Sequence, residues 1–298
     1  MQHDISQNTQ GINAITKIRI IFSYHSLFRI KFCNFAVHFS IDTTNTKIPQ
    51  AMISTLINHR TIRKYKSTPI APELLTELLE ASCRASNTGN MQTYSIIVST
   101  DTEKKKALAP FHFNQAMTTQ APVVLTFCVD FNRFNQWCLL RKAEPGYGNF
   151  LSFSSGLIDT IIAAQNFCIA AESKGLGICY LGTTTYTADK IIEQLSLPNY
   201  VVPVTTITVG YADEEPAQED RLPLEGIVHY ESYKDYTAAT IEKIYAEKEA
   251  IAKHKQFIAE NSKETLAQVF TDIRYTKANN EHFSKVLLDV LKKQGFWD

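Results

Sequence analysis

Apolar residues along the chain follow two rhythms, short β-branched or aromatic runs and longer stretches with helical spacing. The runs YSIIVS at 94–99 and VVLTFCV at 123–129 predict strands, as do 178–181 and 201–209, the last entered through Pro203. Between the first two strands, 102–109 and 114–120 predict helices. Residues 54–58 read as the end of a short amphipathic helix. Residues 72–81 read as a helix with Pro72 in its first turn and acids early. The stretch SGLIDTIIAAQNFCIAAESK at 155–174 is apolar on most faces and stops at Gly175, the pattern of a helix central to a core or a subunit interface. Two charged, periodic helices, 237–260 and 262–294, joined near Asn261, close the chain.

Helices outnumber strands, and long excursions separate the strands. The expected class is α+β (mixed α/β), a small sheet covered by helices. Three parts follow: residues 1–51 as an extension outside the fold, a core at 52–235, and a helical arm at 236–298. The segment 18–39 is rich in aromatic and β-branched residues, but Arg19, His25, Arg29, Lys31 and His38 interrupt it. It therefore lacks the unbroken apolar centre of a signal peptide, and Met52 is the expected true start. No uncharged apolar run reaches the roughly eighteen residues of a membrane span, so no membrane partner is expected.

With 44% hydrophobic and 20% charged residues among 298, the composition is that of a globular protein. Thirty basic residues balance thirty acidic ones, which argues against a nucleic-acid partner. The six cysteines form no CxxC pair and no short Cys/His cluster, so neither a metal site nor a disulfide framework is expected. Cys128, Cys168 and Cys179 lie in apolar runs and read as small buried hydrophobes in a reducing cytoplasm.

Four features could carry chemistry. His59-Arg60-Thr61-Ile62-Arg63-Lys64-Tyr65 packs four cationic or potentially cationic side chains and a hydroxyl into seven residues. Forked guanidinium groups match phosphate oxygens bidentately, although the same residues also suit a solvated basic turn. The loop SNTGNMQ at 86–92 lets backbone N–H groups approach a polar ligand, or simply joins a helix to a strand. KGLGICYLGT at 174–183 sets two glycines in GxG form after a helix; it is no dinucleotide fingerprint, and no P-loop occurs. Arg221, in RLP, stands alone and suits the surface as well as a ligand. No GxSxG, HExxH or kinase loop set appears. His112, His229 and His254 read as surface or packing residues. A cofactor that brings its own chemistry would explain such a chain.

Taken together these pieces resemble the nitroreductase superfamily of FMN proteins, most closely its major oxygen-insensitive NADPH nitroreductases and NADPH-flavin oxidoreductases. HRTIRKY with Pro69 four residues on is similar to that family's HRSIRxF segment, and AESKGLGICYLG to its AESLGLGxxYIG. VPVTTITVGYADEEP…RLP is similar to its strand leading to VGxP…RLP, and LDVLKKQGF to its ending. The resemblance runs from about Ile53 to the C-terminus. It implies an intertwined homodimer with a small mixed sheet and FMN at the subunit interface. It also implies ping-pong hydride transfer from NADPH or NADH to nitroaromatic, quinone or flavin acceptors, with no catalytic side chain beyond the cofactor binders.

Carried over by position, the resemblance places His59, Arg60, Thr61 and Arg63 at the ribityl-phosphate side of FMN, and Asn87 and Gly89 where the family has serines near the flavin. Gln115 matches a flavin-bonding glutamine. Tyr180, Leu181, Gly182 and Thr183 match a segment whose backbone approaches the ring, and Arg221 matches a phosphate-side arginine. Two departures stand out. Glu219 occupies the place of a phosphate-contacting lysine, so its carboxylate should turn away or pair with a cation. Thr183 replaces a glycine. Lys277, Lys285 and Lys292 are candidates for the 2′-phosphate of NADPH, or solvated helix lysines. A non-catalytic flavin-storage protein of the same fold is the alternative. An RNA-binding module built on HRTIRKYK lacks aromatic platforms beyond Tyr65.

Overall fold

The computed structural model describes residues 50–297, and the expectations for the N-terminal extension lie, up to residue 49, outside the described residues. The chain runs α1 (Gln50–Ile57), α2 (Pro72–Cys83), β1 (Tyr94–Ser99), α3 (Thr102–Leu108), α4 (Met117–Gln120), β2 (Val123–Asp130), α5 (Asn132–Leu140) and α6 (Phe150–Ser173). It continues through β3 (Gly177–Leu181), α7 (Ala188–Leu195), β4 (Val201–Gly210), α8 (Ala238–Ala250), α9 (Ala252–Glu260), α10 (Leu266–Gln268) and α11 (Lys277–Lys293).

The four strands form one sheet in the order β1-β2-β4-β3. Every neighbouring pair is antiparallel, and the parallel element is an isolated bridge between Thr61 and Ile178. β2 and β4 are buried along their whole length, because both faces of the sheet are covered. Val123, Leu125, Phe127, Ile207 and Val209 pack with Leu78 of α2 and with Ala164, Phe167 and Cys168 of α6. On the opposite face, Cys179 and Leu181 of β3 pack with Ile62, Tyr65, Met117 and Ala121. Burial pushes the Cys168 thiol up to about 12, as expected of a structural thiol.

Four expected helices differ from the sequence pattern, each for a local reason. α6 starts five residues early, because the Asn149 side chain accepts from Ser152 N–H at 2.9 Å and caps a turn made of FLSFS. The helix expected over 114–120 shrinks to α4, since Phe113 and Asn114 sit in the left-handed region at φ 55° and 54°. In the arm, the helix expected over 237–260 breaks at Ile251, whose φ −61°, ψ 129° is extended. The helix expected over 262–294 breaks before Thr276, whose hydroxyl accepts from Asn279 N–H to start α11. Apolar periodicity averages over such breaks, whereas caps make them.

α6 is long and apolar enough to cross a membrane by length and composition. It packs instead on α2, β2 and β4, and carries a buried carboxylate, Asp159.

Candidate functional site

The basic segment is stitched in extended form between two edges of the core. Thr61 bridges Ile178, where Ile62 N–H donates to Ile178 O at 2.9 Å. Tyr65 bridges Ala212, flanked by Lys66 N–H to Tyr211 O at 2.9 Å and Asp213 N–H to Lys64 O at 3.0 Å. Ile62 and Tyr65 point inward. The Tyr65 hydroxyl donates to Ile62 O at 2.7 Å and lies 2.8 Å from Thr208 Oγ1, and burial raises its pKa well above the usual phenol value. These two pegs leave Arg60, Arg63 and Lys64 exposed. Neither Arg60 nor Arg63 has a carboxylate partner for its guanidinium among the described residues. Glu214 instead accepts from the backbone N–H groups of Arg63 and Lys64 at 2.5 and 2.9 Å.

The segment does not converge on a single cavity. His59 and Arg60 line a cavity of about 380 Å³ with Glu172 and Gly177. His59 Nδ1 is 2.6 Å from Glu172 Oε1, and burial raises the Glu172 carboxyl above its usual range while His59 draws it back. Arg63 stands between two other cavities. One, of about 410 Å³, reaches Met117 and Gln120; the other, of about 390 Å³, reaches Glu219 and Lys253.

The turn after β3 forms the second wall. Tyr180 directs its side chain away, packing on the α2–α6 side with its hydroxyl donating to Gln165 Oε1 at 3.2 Å, so it can serve this wall only through its backbone. Leu181 is buried as an anchor. At Gly182 an added Cβ would meet nothing within 4 Å, so the turn faces open space. The amides of Gly182 and Thr183 have no hydrogen-bond acceptor among the described residues. Thr183 turns inward, its Oγ1 3.0 Å from His112 Nδ1, which draws the 109–115 segment alongside. The Gln115 side-chain amide has no partner among the described residues either. Free amide donors, a free carboxamide and open space suit the polar edge of a flat heterocycle.

Arg221 projects from the acidic loop, its Nη1 donating to the carbonyls of Glu219 and Asp220 at 3.3 and 2.9 Å. Glu219 pairs with Lys253 of α9 at 2.9 Å, as its position demands, and that bond holds its carboxyl below the usual range. Asp220 likewise pairs with Lys248 at 2.7 Å. Glu219 and Asp220 are therefore paired with the arm, and the guanidinium groups of Arg63 and Arg221 have no carboxylate partner among the described residues. Lys277 and Lys285 are engaged along their own helix, with Glu281 at 3.7 Å and Asp289 at 2.6 Å.

Asn87 and Gly89 stand elsewhere. Their loop precedes β1, the edge strand opposite β3, so three strand spacings of about 4.8 Å, roughly 14 Å, separate the two walls across the sheet. Gly89 takes φ +56°, and Asp159 holds the loop by accepting from Thr88 N–H and Oγ1, both at 3.0 Å. Sequence reasoning passed over Asp159 and read His112 only as a surface or packing residue. The signal for Asp159 was available, a lone acid inside an apolar helix. For His112 there was none.

The nitroreductase family model matches residues 56–211. A crystal structure of a provisionally described oxidoreductase from Bacteroides fragilis NCTC 9343 is 58% identical, with a TM-score of 0.81, covering 82% of this chain and 100% of that one. The FMN reductase (NADPH) of Bacillus subtilis is 35% identical over 185 residues, 61% of this chain and 74% of that protein. The oxygen-insensitive NADPH nitroreductase of Salmonella typhimurium is 34% identical over 182 residues, 61% of this chain and 74% of that protein.

Proposed function

The chain belongs to the nitroreductase family, and from that premise we propose that it is an FMN-dependent NAD(P)H oxidoreductase acting on nitroaromatic, quinone or flavin acceptors. The observation that carries the proposal is local: the guanidinium groups of Arg63 and Arg221 have no carboxylate partner among the described residues, and the amides of Gly182 and Thr183 have no acceptor there. Arg63 and Arg221, with Arg60 and Thr61 on the same segment, would hold the phosphate end of FMN by charge-assisted hydrogen bonds. Gln115 and the amides of Gly182 and Thr183 would meet the polar edge of the ring. When bound, FMN supplies the two-electron redox chemistry between NADPH or NADH and the acceptor. The protein's part is to orient ring and nicotinamide face to face and to present fixed N–H dipoles to the charge that develops on reduction. His59, engaged with Glu172, would brace the segment more than touch the ligand.

The same reading includes a homodimer. Asn87 and Gly89 can join a site at Gly182 if a second copy brings its β1 edge there. α6 leaves Leu151 and Ile158 76% and 58% exposed, an apolar face suited to a subunit contact. Free thiols at every described cysteine fit a reducing cytoplasm.

An anaerobic absorbance scan tests the reading. Purified protein should be yellow or take up FMN at micromolar concentration, and its colour should bleach on adding NADPH or NADH. Protein that stays colourless with added FMN ends the proposal.

A further inference from the structure

The histidine behind the Gly182–Thr183 turn has no role in the function proposed above, yet it is fully buried and tied to that turn. His112 ends a 3₁₀ turn, Ala109–His112, and has no solvent exposure. Its Nδ1 lies 3.0 Å from Thr183 Oγ1, and its Nε2 has no partner among the described residues. A buried polar atom without a partner is destabilising, so a ring kept there calls for a reason other than core packing. Burial lowers its pKa to about 4, so the ring is neutral near pH 7, with one N–H and one lone pair. Either tautomer can engage the Thr183 hydroxyl, as donor or as acceptor.

Thr183 is where this matters. Its neighbour Gly182 faces open space, and both amides are free. A threonine at this turn carries a branched side chain with few rotamers, and one turned outward would stand in front of those amides. In the structure it is turned inward and buried, with the hydroxyl on His112. A second tie runs beside the first: Thr187 Oγ1 donates to Phe111 O at 2.7 Å. A glycine at 183 would need no such partner.

We propose that His112 is a positioning residue: it holds the Thr183 side chain in the core and so keeps the Gly182–Thr183 amides clear for the flat ring of the cofactor. The proposal rests on the reading that this turn meets FMN, and the experiment separates the two. The full-length chain, stripped of flavin, is titrated with FMN and followed by quenching of flavin fluorescence. Failure of the unaltered protein to bind removes the underlying reading itself. If it binds, His112→Ala should weaken binding about tenfold or more, the scale of one lost buried hydrogen bond. Adding Thr183→Gly to His112→Ala should return the affinity to near that of the unaltered chain, because no side chain then needs holding. Thr183→Val, which exchanges the hydroxyl for a methyl group of similar size, should weaken binding to a similar extent, and it carries the test alone should His112→Ala not fold. His112→Gln, which keeps a polar group behind the turn, should stay close to the unaltered chain. Unchanged affinity in Thr183→Val overturns the proposal. So does a double variant no better than His112→Ala, which would assign the loss to a cavity in the core.

Discussion

The two ends of the proposed site are held by different forces. At the ring end, Leu181, Thr183 and His112 are buried, and the turn is fixed by packing and by bonds that solvent does not reach. At the phosphate end, Arg63 and Arg221 are exposed, and the loop that bears Glu219 and Asp220 is tied to α9 and α8 by Lys253 and Lys248. An exposed ion pair such as Lys253–Glu219 contributes about 0–1 kcal/mol and is screened by salt beyond about 8–10 Å, the Lys248–Asp220 pair being half-buried, whereas a buried side chain contributes several kcal/mol. The ring end is therefore set before any ligand arrives, and the phosphate end remains adjustable. Sites built this way keep orientation in the core and leave attraction to the surface.

That contrast can be broken from either side. The largest effect should come from Leu181→Ala, which is expected to destabilise the fold by about 2–5 kcal/mol in urea unfolding and to weaken FMN binding with it. A loss of stability with unchanged FMN affinity would show that the turn holds its shape without its anchor. His112 should give the next effect, through pH. Its native pKa of about 4 lies below the ordinary value of 6.5, so the unfolded chain binds the proton more readily. The stability this group permits is complete above about pH 6.5 and is lost as pH falls to about 4, by about 3 kcal/mol in all. Urea midpoints at pH 7.5 and 4.5 should differ less in His112→Gln than in the unaltered protein; equal differences would deny the histidine this role.

At the phosphate end, Arg63→Ala should weaken FMN binding by about 1.5–3 kcal/mol, the usual worth of a hydrogen bond to a charged group. The deficit should shrink as salt rises from low to high ionic strength in the same titration. A salt-independent deficit would mean that Arg63 acts by packing. The smallest effect should be a coupling of under about 1 kcal/mol between Lys253 and Glu219 in a double-mutant cycle. A coupling of several kcal/mol would place this pair with the buried end and erase the contrast.

Legibility from sequence divides along the same line. β1 was plain at its full length, since YSIIVS is a β-branched run closed by polar residues on both sides. α6 was plain in its apolar body but not at its start, where Asn149 makes a turn of FLSFS that a periodicity count passes over. The cations at 59–64 and Arg221 were legible by their chemistry, and the need for Glu219 to find a cation followed from its charge alone. That the cation is Lys253 was not legible, because the arm bends at Ile251, where the apolar pattern runs on unbroken.

By itself the sequence determined the four strands, the bodies of α2 and α6 and which side chains can bind an anion, because these depend on neighbours within a few residues. Only the tertiary structure decided that His112 meets Thr183, that Asp159 holds the 86–92 loop, and that Asn87 and Gly182 lie at opposite edges of one sheet. These relations link residues about seventy or more positions apart in the chain, and the hydrogen bonds of the first two, with the lowered pKa of His112, exist only where folding has brought the partners together and expelled the water between them.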